Sequence, residues 1–224
     1  MSRFLEDQVV ERGYAVLKTG PVDVPTTAVA KALGEISSLP GVTDVQVLQP
    51  REKADAPPNI YSGAFGTGEF PLHTDLAHWF LPPRYLLLRC VVGAVNVATR
   101  LVDGQELVQA LGADALFRTL LQPRRPVRGT RPILRILHRE SQGRYRVRWD
   151  SLFVTPASTK SACVFADIHV WLTTAGEVRI NLSDPGDGLV VDNWRMLHGR
   201  TAVPPESRDR RIDRIYLNSL NGSQ

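Results

Sequence analysis

Two short segments that lie more than a hundred residues apart carry three side chains suited to one metal ion, and bringing them together constrains the fold strongly. The first segment is FPLHTD at residues 70–75, and the second is DNWRMLHGRTAV at residues 192–203. Side chains alternate faces in an extended chain, so His73 and Asp75 point the same way and Thr74 points away. His198 in the second segment supplies the third ligand. The chain must therefore fold so that these two segments become neighbours.

Two imidazoles and one carboxylate occupy one face of an octahedral ion and leave the opposite positions open. This arrangement is typical of non-haem Fe(II) oxygenases, so the predicted chemistry is oxidation. A His-x-Asp pattern alone arises often by chance. Here the pattern follows a glycine-rich segment that contains Gly63, Gly66 and Gly68. The second histidine, His198, is followed by Gly-Arg-Thr. The joint pattern therefore carries the prediction.

At this point the sequence resembles the TauD/TfdA-like family of Fe(II)- and 2-oxoglutarate-dependent dioxygenases. The resemblance rests on the two segments above together with PPRYLLLRC at 82–90 and RRIDRIYL at 210–217. It implies a mainly β (α+β) fold, a double-stranded β-helix or jelly roll with N-terminal helices packed on its outside. It also implies Fe(II), with 2-oxoglutarate and O2 as co-substrates.

Residues 1–224 are predicted to form a single domain of this kind. Helical and strand elements are expected over 1–50, a lid-like loop over 49–68, and the β-helix core over about 69–220. Helical spacing predicts helices at Phe4–Arg12, Pro25–Ser38 and Gly104–Leu121, with short strands elsewhere after Tyr85.

The arginines after His198 are predicted to bind carboxylates. We expect residues 188–203 to form one strand, a turn near Pro204, and a returning strand from Arg210, which would place Arg210 opposite His198. A guanidinium there can hold the distal carboxylate of 2-oxoglutarate. Arg211 is the alternative, because a slip of one residue exchanges the two faces. Arg214 shares the face of Arg210 and is predicted to bind a substrate anion.

Further contacts are expected from other parts of the chain. The resemblance gives Thr99 the role of a hydroxyl donor to the 2-oxoglutarate carboxylate, with an ordinary strand residue as the alternative. It also gives Asp150 an acidic contact to a substrate ammonium or guanidinium, although an aspartate after a strand is commonly a turn residue. Asn59, Tyr61 and Ser62 on the lid-like loop are predicted substrate contacts, or else loop hydrogen-bonding residues. The three other histidines, His78, His138 and His169, are not expected to bind metal.

Composition fits a soluble globular chain, with 224 residues, 43% hydrophobic and 22% charged. The N-terminal residues carry charge and lack the apolar core of a signal peptide, and the longest apolar runs are too short to span a bilayer. A cytoplasmic location without membrane contact is therefore expected. Cys90 and Cys163 are predicted to be buried, reduced thiols.

Positive charge is concentrated in the second half of the chain. Residues 1–122 hold 10 Lys/Arg and 13 Asp/Glu, giving −3, and residues 123–224 hold 17 and 10, giving +7. Nine arginines lie between Arg124 and Arg148, against one acidic residue, Glu140. Such a patch can attract an acidic substrate, an acidic carrier protein or a nucleic acid, or can be a solvated sheet face. In the stretch 144–149 the arginines alternate with apolar residues, which favours the solvated face for that part.

The predicted reaction is oxidation of an unactivated C–H bond, with hydroxylation as its default outcome and succinate and CO2 as co-products. The predicted substrate is a small molecule that is amino-acid-like or carries a carboxylate. Three alternatives remain open: a substrate tethered to a carrier protein, a nucleic-acid substrate, and a catalytically silent β-helix that only binds a ligand. A nucleic-acid partner is disfavoured, since no series of aromatic residues is spaced to stack bases. Oligomeric state is not predicted.

Overall fold

The protein is built mainly from short β-strands that come from distant parts of the sequence. The computed structural model describes residues 2–140 and 143–222. Its strands are β1 (Tyr14–Leu17), β2 (Gly34–Ile36), β3 (Gln46–Leu48), β4 (Phe70–His73), β5 (Tyr85–Val92), β6 (Ala98–Asp103), β7 (Leu120–Pro123), β8 (Leu134–Arg135), β9 (Leu137–Arg139), β10 (Tyr145–Val147), β11 (Val154–Pro156), β12 (Val178–Asn181), β13 (Gly188–Asp192), β14 (Met196–Arg200) and β15 (Arg211–Leu220). Its α-helices are α1 (Ser2–Arg12), α2 (Thr26–Leu33), α3 (Tyr61–Phe65), α4 (Gly104–Leu111), α5 (Ala113–Arg118) and α6 (Thr159–Leu172). The prediction of a mainly β chain with a few helices is confirmed.

Two antiparallel sheets provide the frame. Within the described ranges, the larger sheet has the order β1-β13-β5-β15-β2, with β3 also paired to β15, and the smaller has the order β12-β6-β14-β4. Strands β7, β8 and β11 form a small sheet, and β9 pairs with β10. Strands that follow one another along the chain, such as β13 and β14, often belong to opposite sheets. Strands β4 and β14, which carry the two metal-ligand segments, are neighbours in the smaller sheet.

Alternation along β5 shows how the larger sheet separates two apolar clusters. Leu86 and Leu88 point into a cluster that also contains Leu101 of the smaller sheet. Tyr85 and Leu87 point the other way, into a cluster shared with the N-terminal helices. Period-two alternation of this kind is expected for a strand covered on both faces.

The N-terminal helices bury apolar side chains against the larger sheet. Leu5 and Val9 of α1, and Ala30 and Leu33 of α2, are buried in the same cluster as Leu87. Full burial of a leucine-sized side chain contributes about 1.5–3 kcal/mol. These contacts stabilise the face of the sheet that points away from the smaller sheet.

Helices α4, α5 and α6 cover the outer face of the smaller sheet. Leu107, Leu116 and Ile168, one from each helix, pack into a buried cluster with Trp149 and Leu197. Because Leu197 points into this cluster, its neighbour His198 points to the opposite face, between the two sheets. The sequence alternation thus places the histidine inside.

The predicted continuous strand over 188–203 and its hairpin near Pro204 are wrong. The chain instead turns between β13 and β14, where the Asp192 carboxylate accepts a hydrogen bond from the Trp194 N–H at 3.0 Å, as aspartate often does in turns. Strand β14 pairs with β4 and β6, whereas β15 pairs with β2, β3 and β5. Residues 198 and 210 are therefore not opposite each other in one ladder.

Two helix predictions need correction, and one helix was missed. The expected helix Gly104–Leu121 is divided into α4 and α5 by Gly112, whose φ of 81° suits glycine. The helix expected at Pro25–Ser38 ends at Leu33, since the next residues pair with β15. Helix α6 was not predicted, although Ser158 caps it by accepting from the Ser161 N–H at 3.1 Å.

Two burial predictions also fail. Cys90 is buried as expected, but Cys163 is exposed on α6. Arg148 is only 2% exposed, so it does not share a solvated face with the other arginines of its strand. No helix in the described part of the chain is long and apolar enough to cross a membrane.

Candidate metal centre

Three side chains converge between the sheets. His73 ends β4, Asp75 follows two residues later, and His198 lies in β14 directly opposite His73. The Nε2 atoms of His73 and His198 lie 3.5 and 3.6 Å from Asp75 Oδ1, and all three side chains are buried. Candidate ligand atoms from the three residues lie within 4.8 Å of one another. The predicted ligands are thus brought together.

Hydrogen bonding fixes the ligand atom of the first histidine. The Nδ1 of His73 lies 2.8 Å from the carbonyl oxygen of Pro71. Because a carbonyl oxygen can only accept, Nδ1 carries the hydrogen and donates a hydrogen bond to that oxygen. The Nε2 lone pair then faces the centre, as a metal requires. For His198, the buried Nδ1 has no hydrogen-bond partner among the described residues.

The Asp75 carboxylate is held so that its two oxygens differ. Its Oδ2 accepts a hydrogen bond from Arg214 Nη1 at 2.7 Å and another from the Tyr216 hydroxyl at 3.0 Å. Its Oδ1 faces the two histidines. With Oδ2 engaged in this way, Oδ1 is the oxygen available to a metal ion.

Electrostatics keep this carboxylate ionised. Burial alone would raise the pKa of Asp75, but the positive charge of Arg214 and the two nearby histidines outweigh it and hold the pKa well below its usual value. Burial raises the pKa of Tyr216 well above its usual value, so its hydroxyl stays a neutral donor. The donor set of two imidazoles and one carboxylate fits a divalent transition metal.

Backbone contacts fix where Asp75 lies. The buried amide of Asn193 accepts from the Asp75 N–H at 2.6 Å and donates to the carbonyls of Asp75 and Pro83 at 3.1 and 3.0 Å. The next residue, Leu76, has a φ of 55°, which is unfavourable for a branched side chain. Such strain concentrates at functional sites, where surrounding contacts maintain it.

A cavity of about 430 Å³ opens beside the three ligands. It is large enough for two small molecules of amino-acid size, and its walls mix aromatic, cationic and acidic groups. The lining includes Tyr61, Ser62, Phe70, Thr99, Asp150, Phe153, Arg200, Arg210 and Arg214. Opposite charges therefore lie in one cavity around the candidate metal centre.

The cationic part of the cavity comes from both sheets. Arg210 is buried, its Nε has no hydrogen-bond partner among the described residues, and burial lowers its pKa to about 10. Arg200, two residues after His198, donates from Nη2 to the carbonyls of Gly66 and Gly68 at 3.2 and 2.7 Å. Arg200 thereby ties the end of the loop before β4 to the strand that carries His198.

The acidic part of the cavity is Asp150. It is 1% exposed, and its Oδ1 accepts from the backbone N–H groups of Leu152 and Phe153 at 2.8 and 3.0 Å. Burial raises the pKa of Asp150. The ring of Tyr61 stacks on His73 with centroids 4.2 Å apart, and burial beside Asp150 raises the pKa of Tyr61.

Sequence comparison places this centre in a family. The family described as "Taurine catabolism dioxygenase TauD, TfdA family" matches residues 2–216 of the chain. The chain belongs to this family. Gamma-butyrobetaine dioxygenase from Pseudomonas sp. (strain AK-1) is 30% identical over 189 residues, 75% of this chain and 47% of that protein. Clavaminate synthase 2 from Streptomyces clavuligerus is 24% identical over 166 residues, 66% of this chain and 49% of that protein.

The TauD/TfdA chain thus spans about half the length of these curated relatives. Among solved structures, asparagine oxygenase in complex with Fe(II), 3-hydroxyasparagine and succinate has a TM-score of 0.75 at 19% identity, over 96% of this chain and 78% of that one. The oxygenase OrfP in complex with Fe and alpha-ketoglutaric acid has a TM-score of 0.71 at 19% identity, over 97% and 79%. These similarities confirm the jelly-roll core.

Most other predicted site residues of this TauD/TfdA chain reach the cavity. Arg210, Arg214, Thr99, Tyr61, Ser62 and Asp150 all line it. Asn59 is exposed and lies outside the lining. Arg211, the alternative to Arg210, is 41% exposed at its side chain and lies 3.7 Å from Asp213. Arg214 also reaches the cavity, but two of its N–H groups already donate hydrogen bonds, one to Asp75 and one to Gln46 Oε1 at 2.6 Å.

Three residues of the site were not predicted. Asn193 and Arg200 both lie within the segment DNWRMLHGR, on which the family resemblance partly rests, so the segment itself was the available signal. Tyr216 follows Arg214 by two positions, and period two places both on one face. Their contacts with Asp75 and with the loop before β4 depend on strands from elsewhere in the chain, which no local pattern identifies.

Proposed function

We propose that this protein is an Fe(II)- and 2-oxoglutarate-dependent dioxygenase that hydroxylates an unactivated C–H bond of a small amino-acid-like substrate, giving succinate and CO2. The observation that carries the proposal is the buried cluster of His73, Asp75 and His198 beside a cavity lined by Arg210. Asparagine oxygenase and OrfP, two similar structures, hold Fe with succinate or alpha-ketoglutaric acid.

His73 Nε2, His198 Nε2 and Asp75 Oδ1 would hold the iron. When bound, iron with 2-oxoglutarate and O2 supplies the oxidising chemistry. The chain contributes the positions of the ligands, through Pro71 on one histidine and through Arg214 and Tyr216 on the carboxylate. The surrounding apolar cluster keeps bulk water from these atoms.

Arg210 would hold the distal carboxylate of 2-oxoglutarate, assisted by the Thr99 hydroxyl. The Nε atoms of Arg210 and Arg211 both lack a hydrogen-bond partner among the described residues, but only Arg210 is buried, and a buried guanidinium without a partner is costly unless an anion binds it. Arg211 is more exposed and already faces Asp213, so Arg210 is the better candidate. Replacing each by methionine tests this. We expect Arg210→Met to weaken 2-oxoglutarate binding at least about tenfold and Arg211→Met to leave it nearly unchanged. Equal effects would contradict the assignment.

The substrate would be a zwitterion or a related carboxylate-bearing molecule. Asp150 offers a negative charge for an ammonium or guanidinium group, and Arg214 retains N–H donors for a carboxylate. Tyr61 and Ser62 at the start of α3 would contact its body, and Asn59 would lie on the exposed segment before α3. Two similar structures, asparagine oxygenase and the OrfP D157A mutant, hold 3-hydroxyasparagine and (3S)-hydroxy-L-Arg, which are hydroxylated amino acids.

The test is a screen of free amino acids for succinate formation by the iron-loaded protein. Substrates with amide, ammonium or guanidinium side chains should stimulate succinate formation above the level without substrate. Asp150→Asn should remove that stimulation while retaining 2-oxoglutarate binding. Asp167→Asn, at an exposed position of α6, is the matched control and should behave as the unaltered protein. Stimulation that survives in Asp150→Asn would contradict the role of Asp150.

A further inference from the structure

A rigid apolar tip projects from the protein just after the metal-binding segment. Phe80 is 79% exposed and Leu81 is 58% exposed, while the neighbouring Trp79 is partly covered. Adjacent large apolar side chains at this exposure are uncommon outside binding surfaces. The fold of the chain alone therefore does not account for the exposure of these side chains.

A buried arginine fixes this tip in place. Arg148, 2% exposed, donates hydrogen bonds to the carbonyl oxygens of Ala77, Trp79 and Phe80, the last at 3.0 Å. These bonds satisfy the backbone of the tip from inside the protein, so its outward side chains are held in a defined position. A fixed tip loses little freedom when a partner covers it.

Unpaired positive charge lies on the segment 124–131, which approaches the tip through Arg128. Arg124, Arg125, Arg128 and Arg131 are exposed, and the stretch 115–139 contains no aspartate or glutamate. None of the four makes an ion pair within the described ranges 2–140 and 143–222. Their field favours an acidic partner.

One of these arginines occupies a strained turn. Val127 and Thr130 exchange backbone hydrogen bonds, and between them Arg128 and Gly129 have φ values of 50° and 81°. This turn geometry favours glycine or asparagine over a long side chain. The turn places the Arg128 guanidinium 5.9 Å from the centre of the Trp79 ring. Arg128 and the apolar tip are therefore neighbours. We call the tip and the exposed arginines of this segment the basic apolar face, which comprises Trp79, Phe80, Leu81, Arg124, Arg125, Arg128 and Arg131.

The basic apolar face adjoins one wall of the cavity beside the candidate metal centre. His78, which precedes the tip, lines the cavity and packs against Phe153 with ring centroids 5.1 Å apart. The Arg124 N–H donates to the carbonyl of Phe153, another lining residue, at 2.9 Å. A macromolecule seated on this face would lie next to the cavity wall that His78 and Phe153 form, close to the candidate metal centre.

We infer that the basic apolar face docks an acidic carrier protein that presents the substrate on a flexible arm. The inference rests on the proposed function. The face is basic, which favours an acidic partner, and it lies next to the cavity, so that a substrate on an arm of the partner could reach the site. A nucleic acid fits less well, since Arg128 covers the Trp79 ring and leaves Phe80 as the only aromatic of this face free to stack a base.

Binding of holo-carrier proteins tests the inference without any need for turnover. A panel of acidic carrier proteins bearing the phosphopantetheine arm is titrated against the full chain at low and high salt. We expect salt-sensitive binding that Phe80→Ser combined with Leu81→Ser weakens at least about tenfold, and that Arg128→Ala also weakens. Val95→Ser is the matched control, since Val95 is 74% exposed and lies outside the face. Binding to no member of the panel, equal loss with Val95→Ser, or tighter binding of a single-stranded DNA probe would overturn it.

Turnover separates this inference from the proposed function. Succinate formation is compared with an amino acid loaded on the bound carrier and with the same amino acid free, in the unaltered protein and the tip variant. The inference predicts that the tip variant raises KM for the loaded carrier alone. If carriers bind at the face but neither form is oxidised, the docking surface stands and the proposed function fails. If free amino acid is oxidised and no carrier binds, the docking surface fails and the function stands.

Discussion

Replacing Tyr216 by phenylalanine removes one hydroxyl from the site and should weaken metal binding about tenfold. The hydroxyl donates to Asp75 Oδ2 at 3.0 Å, beside the stronger bond from Arg214 at 2.7 Å. A hydrogen bond to a charged group contributes about 1.5–3 kcal/mol, and a distance at the long end for this type favours the lower value. About 1.4 kcal/mol corresponds to a tenfold change in an equilibrium constant, which agrees with the range known for residues that orient metal ligands.

The assay is anaerobic titration of Fe(II) in competition with a chromophoric chelator. The control is Tyr85→Phe, which removes the same atom from a tyrosine that is 5% exposed and faces the N-terminal helices rather than the cavity. The metal dissociation constant should rise in Tyr216→Phe and stay unchanged in Tyr85→Phe. A Tyr216→Phe protein that binds iron within about twofold of the unaltered chain would refute the claim that this hydroxyl orients Asp75.

Three further changes have defined expectations. Asn193→Ala leaves the N–H and carbonyl of Asp75 without partners and should cost about 3 kcal/mol in the free energy of unfolding, measured by urea denaturation. In Gly199→Ala the new Cβ would lie 2.6 Å from the Phe70 carbonyl oxygen, so β4 and β14 must separate and iron affinity should fall at least about tenfold, measured by the same titration. Arg148→Met leaves three carbonyls of the apolar tip without their donor and should lower the free energy of unfolding by about 3 kcal/mol in urea.

Each of these has an outcome that contradicts it. Unchanged urea midpoints in Asn193→Ala or Arg148→Met would mean that water replaces the lost donors. Unaltered iron affinity in Gly199→Ala would mean that the pairing of the two ligand strands can relax without moving His198. Gly129→Ala serves as a comparison for Gly199→Ala, because its Cβ meets nothing within 4 Å although its φ of 81° adds backbone strain.

The sequence predicted the ligands because their geometry is local or shared by a family. His73 and Asp75 are two residues apart, so alternation alone places them together. The same rule put Arg210 and Arg214 on one face, and both do line the cavity. The prediction that the two arginines share a face was therefore right, because alternation depends only on the strand that carries them. The prediction of the neighbouring strand was wrong, because strand pairing depends on residues far away in the sequence.

Pairing was the part that local patterns could not supply. The turn at Asp192 moves the chain from one sheet to the other, and its only local sign is an Asp-Asn pair that also suits other turns. Asn193 contacts Asp75 across 118 positions of sequence, a relation visible only in the folded chain. The role of Arg200 could not be predicted for the same reason, because its partners Gly66 and Gly68 lie on the distant loop before β4.

Helix α6 shows a different limit. Its Ser158 cap was readable, but its interior contains β-branched and aromatic residues that also suit strands, and the surrounding sequence favoured short strands. Cys163 lies on an exposed part of this helix, whereas Ile168 of the same helix is buried. The burial of a residue could not be predicted when the helix that carries the residue had not been predicted.

The most direct test of the metal and keto-acid site is the visible absorption of the anaerobic Fe(II)-loaded protein during titration with 2-oxoglutarate. A charge-transfer band should appear in the unaltered chain, disappear in His73→Ala, Asp75→Ala and His198→Ala, and require more 2-oxoglutarate in Arg210→Met. Iron binding without any band in the unaltered chain, or a band that persists in Asp75→Ala, would contradict the account.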